Sequence, residues 1–476
     1  METLQRLHNR GSISTGYDID NSLKLEDGAT EGMAKNFSGD GDQRTWTYST
    51  WVKRTQISGS DAFHLFGGSY TNIQFMTNDL LRVELYDGAS TVYADLNRVF
   101  RDTSAWYHIV VTLDTTQSTA ADRVKIYING VQDTSFNNST YANMSQNAQF
   151  QIGSATADYQ FGYYFVGGAN DRRFCGYVAE THYVNGTALD ATSFGEFDDD
   201  SGIWKPKEYT GSHGSKGFYF KFDDSSNLGK DSSSGGVGDF TLTNITAADQ
   251  ATDTPTNNFA TFNAMHPLAS STNIRQGATQ FYISSNWQTA VASIAVSKGK
   301  WYAEFSPDSS TTIVGFVDVE DAYIPQNHTG YYLGYAGSNQ NRSVGMQGSN
   351  GVIMNDNNSA TGATFGASDI ISLALDMDNR KAYWAVNGTW VNSGNPANGT
   401  NGVTWATSSS LGDAWTDIIT MGVTGYSNIH WKCNFGGFTL ISISSGNADA
   451  NGYGNFEYAP PSGYYALCTK NLEEYG

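Results

Sequence analysis

The chain has little sulfur, with three cysteines (Cys175, Cys433 and Cys468) in 476 residues. An odd number spaced so widely builds no disulfide framework, and folding in a reducing cytosol is expected. Positive charge is also scarce: 27 Lys and Arg stand against 47 Asp and Glu, a net charge of −20. Holding a polyphosphate depends on counterion release by clustered Lys and Arg, and none cluster here, so nucleic acid is excluded as a partner. The same field opposes anionic membrane surfaces. No run reaches the roughly 20 apolar residues of a membrane span, and the opening METLQRLHNRGS lacks the apolar stretch of a secretory leader. Neither secretion by signal nor membrane insertion is expected. No G-x-S-x-G elbow or phosphate-cradling loop is present. The 8 histidines show no H-x-H or H-x-x-x-H spacing, so they read as structural or exposed rings, not metal ligands or bases.

Aromatic residues are abundant: 28 Tyr, 25 Phe and 11 Trp, set among Gly, Ser, Thr, Asn and Asp with only 8 Pro. Aromatic and β-branched residues suit a pleated surface, and Gly, Asn and Asp suit its corners, so the fold class is all-β. A chain this long exceeds one hydrophobic core. Residues 45–54 (TWTYSTWVKR) alternate, and 81–86 (LRVELY) end on the turn Asp87-Gly88. The segments WYHIVVTLD (106–114) and VKIYING (124–130) read as two antiparallel strands, with Asn129-Gly130 closing a turn. Residues 174–181 alternate, with Phe174, Gly176, Val178 and Glu180 on one side. Between residues 227 and 263 the composition turns to Ser, Gly, Thr and Asp, the pattern of a linker. Beyond it, DIISLALDMDNRKAYWAVNG (369–388) is the clearest hairpin, with Leu373 and Trp384 expected to be buried.

The motif WYHIVVTLD…VKIYINGV resembles the core of laminin-G-like and pentraxin-like jelly rolls. The stretch 174–222, with DTPTNNF (253–259), resembles the end of such a domain in structural proteins of tailed, mostly marine, bacteriophages. GKWYAEF, VGF, the 369–388 hairpin and NFG (434–436) together resemble a SPRY domain, usually an interaction or ligand-binding module without catalysis. The expected architecture is two tandem antiparallel β-sandwiches. Residues 1–250 would form a laminin-G/concanavalin A-like jelly roll with a short lead segment, 251–284 a linker or edge strand, and 285–476 a SPRY-like sandwich. The resemblance implies a non-enzymatic virion protein assembled in the host cytoplasm, a tail fibre or a fibre or decoration on the head. Other virion proteins would be its partners, with attachment to host-surface glycan or protein, and it would form a homo-oligomer, by preference a trimer docked by its N-terminal half with the SPRY-like half distal. The alternatives are a depolymerase on the same fold or a bacterial cell-surface lectin.

The depolymerase alternative points to Glu196, Asp198, Asp199 and Asp200, since laminarinase-type enzymes set alternate carboxylates along a strand. Here the closing Glu is missing and the run lies between Gly195 and Gly202, so a solvated acidic loop is expected and no catalytic residue is assigned. No cofactor is expected. Laminin-G-like domains often hold Ca²⁺ at a rim, but no Asp turn here matches a ligand pattern, and no metal residue is assigned. The candidate ligand contacts are the loop aromatics Tyr159, Tyr163, Tyr164, Tyr331, Tyr332, Trp390, Trp405 and Trp415, because aromatic faces stack on sugar C–H groups. Packing or assembly is the alternative role for these rings.

Overall fold

The computed structural model describes the chain except residues 1–15, 27–29, 37, 58–61, 69–70, 153–157, 167–168, 266–272, 322–331, 335–341, 356–357 and 409–413. Among the described residues the protein is nearly all β, 43% strand with one α-helix, Thr469–Tyr475. Among the described residues no helix is long and apolar enough to cross a membrane. The chain divides into two compact units, Ser14–Thr256 and Asn257–Gly476.

The unit 14–256 is a jelly-roll sandwich of two eight-stranded antiparallel sheets. One runs through Val124–Ile128, Tyr107–Asp114, Thr45–Arg54, Gly176–Asn185 and Ser22–Leu25. The other runs through Thr91–Val99, Leu80–Tyr86, Thr71–Phe75, Phe63–Gly68, Tyr159–Phe161 and Gly32–Lys35. Strand alternation sends Trp46, Tyr48 and Val52 into the core with Ile109, Val111 and Ile126. It sends Thr47, Ser49, Trp51 and Lys53 to the other face. That outer face is also buried, because the excursion 186–214 lies over it and contributes Phe194, Trp204 and His213. Gly130, at φ +81, permits this cover, since a Cβ there would fall 2.2 Å from the Trp204 ring.

The sequence alternation set Glu180 on the same side of the strand as Val178. A β-bulge between Ala179 and His182 corrects this: one extra residue shifts the alternation, so Val178 and Tyr183 both reach the core while Glu180, at φ 47, turns outward. Part of the Ser/Gly/Asp-rich stretch read as a linker is structured, because its backbone finds sheet partners. Thr241–Thr243 pairs with Gly32–Lys35, and Gln250–Ala251 pairs with Ser22–Leu25.

The unit 257–476 packs a nine-stranded sheet against a six-stranded one. Pairing is antiparallel apart from a two-residue parallel contact of Tyr465–Ala466 with Lys300–Pro307. Residues 274–283, assigned from sequence to the linker or edge segment, supply two strands of the large sheet: Ile274–Arg275 pairs with Gln280–Ile283, and the latter with Ile429–Asn434. Ile274, Phe281 and Ile283 belong to this core. In the 369–388 hairpin, Leu373 lies directly opposite Trp384, both are buried, and the Trp384 indole donates to the Val314 carbonyl at 3.1 Å. Cys175, Cys433 and Cys468 are free thiols in apolar interiors; burial pushes Cys468 up to about 12.

Truncating Leu373 to Ala leaves a void facing the Trp384 ring that the strand pair cannot fill. The expected cost is about 2–5 kcal/mol, read as a lower urea midpoint of the full chain. A loss below about 1 kcal/mol would mean that the hairpin does not anchor this core.

Candidate functional site

The sequence-selected aromatics separate into three groups. Tyr159 is fully buried, ringed by Phe66, Tyr183, Phe218 and Phe240. Trp405 and Trp415 are also core, both packed on Phe316. These three are corrected from ligand contacts to packing residues: the Gly/Asn-rich context resembles an exposed loop, but the indoles fold back under it. Tyr164 is buried too, against His64 and under the Arg172 guanidinium. Tyr163 is half-buried and flush on Gly32, where a Cβ would fall 2.0 Å from its ring. Tyr332 leans on Trp287, and Trp390 packs beside the Tyr302, Tyr383 and Phe456 cluster. Tyr331 lies outside the described residues.

The acidic loop follows the strand Gly195–Phe197. Asp198 accepts from the Ser201 amide at 2.9 Å, the Ser201 hydroxyl at 2.8 Å and the Asp200 amide at 3.2 Å, with the Lys205 ammonium at 3.3 Å. The Ser201 donors lead in holding its carboxyl down to about 2. A glycosidase acid needs the opposite shift. Among the described residues, no group of three or more His, Cys, Asp or Glu is placed to hold a metal ion.

Two polar arrangements went unrecognised in the sequence. The first lies beneath the 186–214 excursion. Trp204 Nε1 donates to His108 Nδ1 at 2.9 Å, while His108 Nε2 meets Ser49 Oγ at 2.9 Å. An indole N–H only donates, so His108 is neutral with its proton on Nε2. Beside it, Glu180 accepts from the Tyr219 hydroxyl at 2.6 Å and the Tyr17 hydroxyl at 2.7 Å, and lies 3.3 Å from His182 Nε2. His182 Nδ1 is 3.0 Å from His213 Nε2. Burial raises the Glu180 carboxyl, but His182 and the two phenols outweigh it and hold the group below its ordinary value. The groups are those of a proton relay, but Glu180, His182 and His213 are each no more than 5% exposed. Their arrangement holds the cover to the sheet.

The second lies on the outer face of the nine-stranded sheet in residues 257–476, where Phe281, Trp431 and Phe305 point into the core. Alternation therefore turns Gln280, Lys432 and Ser306 outward, and the register sets them in one cross-strand row, with Arg275 opposite Gln280 at its edge. A neighbouring row holds Tyr282, His430 and Asp308. Tyr282 stacks on His430 at 4.7 Å, and His430 Nδ1 lies 2.9 Å from Asp308 Oδ2. The 366–370 and 441–442 loops wall these rows into an open cleft of about 460 Å³, lined also by Pro307, Ser368, Ile370 and Ser442. On the other side the face is closed. There the Glu304 carboxylate accepts from the amides of Glu457 at 3.0 Å and Tyr458 at 2.8 Å, which ties the C-terminal segment over it. The cleft is concave, polar and sugar-sized. Its residues are ordinary strand polars, and only the strand register groups them.

Residues 27–185 match the family model described as the concanavalin A-like lectin/glucanases superfamily. No curated protein matches the chain. Among solved structures, the chain is similar to the SPRY domain of human HERC1, at 16% identity over 33% of this chain and 87% of that one, with a TM-score of 0.24. It is similar to the heptameric SAP-like pentraxin of Limulus polyphemus, at 14% identity over 37% and 80%, with a TM-score of 0.27. It is also similar to a protein from Bacteroides ovatus described as a candidate carbohydrate binding protein, at 17% identity over 48% and 60%, with a TM-score of 0.34.

The buried imidazoles make the unit 14–256 acid-sensitive. Burial pushes His108 and His64 down from 6.5 to about 3. Below pH 6.5 the unfolded chain takes up protons that the folded rings refuse. Stability is therefore full above 6.5 and falls as the pH drops towards 3, by up to about 1.4 kcal/mol per pH unit for each ring. Urea midpoints of the full chain should fall between pH 6.5 and 5. His108→Gln, which keeps an acceptor for Trp204, should flatten the slope. A midpoint independent of pH from 7.5 to 5 would refute the neutral buried rings.

Proposed function

We propose that this chain is a non-catalytic carbohydrate-binding protein of a tailed-phage virion, and that the cleft over Gln280, Ser306 and Lys432 receives the saccharide. The observation that carries the reading is the cleft itself, a concave surface with hydroxyl, amide and ammonium donors in register beside the stacked Tyr282 and His430 rings. The concanavalin A-like match of residues 27–185 agrees with a lectin-type protein. The virion setting rests on the resemblance of residues 174–222 and 253–259 to phage structural proteins. Assembly as a homotrimer suits the role, because several weak sites on one particle bind a surface by avidity. The state of Asp198 speaks against a general-acid role: the Ser201 donors hold its carboxyl low, so it has no proton to give a leaving group.

Gln280→Ala and His430→Ala should each weaken binding to purified host-surface glycan about tenfold or more, measured by calorimetry on the full chain, with thermal stability unchanged. Wild type and the E196Q/D198N/D200N triple variant should bind equally and release no reducing ends from it. Reducing ends that vanish in the triple variant would make the protein a depolymerase. Antibody to residues 257–476 should label purified virions; label confined to unassembled protein would remove the virion assignment.

A further inference from the structure

Most sheltered cations of this protein hold a carboxylate, and others, Arg123 and Lys381 among them, bond backbone carbonyls; among the described residues Lys432 does neither. Lys24 is paired with Glu31 and Asp249, Lys53 with Asp253, and Arg54 with Asp79, all in buried settings. Lys300, four residues before Glu304 on the same strand, is 31% exposed and holds Asp376 at 3.1 Å. Lys432 is half-buried on the floor of the cleft, yet among the described residues no carboxylate lies within ion-pair distance of it. The chain does not lack carboxylates, since 47 acidic residues outnumber 27 basic ones. Asp308 lines the same cleft, but its oxygens go to the His430 backbone N–H at 2.9 Å and ring nitrogen at 2.9 Å. A sheltered ammonium has lost part of its hydration, and an anion that completes the pair gains more there than at an open surface.

Lys432 is also not the only cation of its row. Cross-strand neighbours are roughly 4.8 Å apart, so Arg275, two strands away across Gln280, stands about 10 Å from Lys432 along the row. Arg275 lies over the Tyr282 ring at 5.3 Å, and Tyr282 stacks on His430, the aromatic ring that lines the cleft beside Lys432. Ser306 and Gln280 add neutral hydrogen-bond groups on either side of Lys432.

From these observations, and resting on the reading of the cleft as a saccharide site, we propose that it selects an acidic saccharide, whose anionic group pairs with Lys432 while neighbouring hydroxyls bond Gln280 and Ser306. The shared chemistry is a sugar-borne anion, carboxylate or sulfate. The net charge of −20 opposes long-range capture of such a chain, so recognition is short-range and confined to the cleft.

The test is calorimetry on the full chain with three probes of equal length: tetragalacturonic acid, a κ-carrageenan tetrasaccharide and cellotetraose. At least one acidic probe should bind ten times or more tighter than cellotetraose, and the stronger of the two tells carboxylate from sulfate. Lys432→Gln should abolish that preference, and Lys432→Arg should retain most of it, with unchanged thermal unfolding for both. If cellotetraose binds as tightly as the acidic probes, or Lys432→Gln leaves the preference intact, the charge selection is wrong while the cleft stands as a saccharide site. If none of the three binds, and glycan from the host surface does not bind either, the saccharide reading falls and this proposal falls with it.

Discussion

A carboxylate removed from water must be given donors, and in each unit one glutamate imposes that condition on the outer face of a sheet. Glu180 takes the hydroxyls of Tyr219 and Tyr17; Glu304 takes the amides of Glu457 and Tyr458, the Tyr302 hydroxyl at 3.0 Å and the Asn434 amide at 3.2 Å. Leaving either group buried without these donors would cost several kcal/mol. Tyr219, Tyr302 and Asn434 stand on strands of the sheets themselves, while Tyr17, Glu457 and Tyr458 come from segments outside the strands, which the carboxylates hold against the face. Both sandwiches consequently have a third, irregular layer over a face that would otherwise be solvated.

Where that layer stops, the sheet is left open, and this determines which strand polars are available to a ligand. In residues 14–256 the cover extends over Ser49, His108 and His182: Ser49 bonds His108, and His182 meets His213 and Glu180. In residues 257–476 it reaches Glu304 and Asn434 and ends there, so Ser306, Lys432 and Gln280 in the next row outward, with Asp308 and His430 beyond them, line a cleft instead of an interface. The two faces are built from the same residue types, polar and aromatic side chains alternating with core. Coverage makes one structural and leaves the other available.

The all-β class and the strand patterns were legible because side-chain alternation is a local property. Val124, Ile126 and Ile128 face the core, as does Leu373 with Trp384 opposite. The fate of the excursions was not legible. Trp405 and Trp415 lie among Gly, Asn, Ser and Thr that read as exposed loop, yet both indoles fill the space beside Phe316, since burying an indole outweighs the polarity of its neighbours in sequence. The bulge at Glu180 was hidden for a related reason: one extra residue reverses the alternation and leaves no mark in composition.

The cleft shows the limit most directly. Its floor unites residues 280, 306 and 432, which are far apart in the chain and meet only through strand register. Each, taken alone, is an unremarkable outward strand residue. A motif is visible in sequence when neighbours in space are neighbours along the chain, as in the acidic run at 196–200, and that run proves to be a turn whose aspartate is satisfied by its own loop. In an antiparallel sandwich, outward residues on different strands are grouped by pairing, so a binding surface built on a sheet face carries no local signature. Legible chemistry and usable chemistry therefore part company in this fold: clustered carboxylates mark a loop, and the ligand-facing groups are scattered single residues.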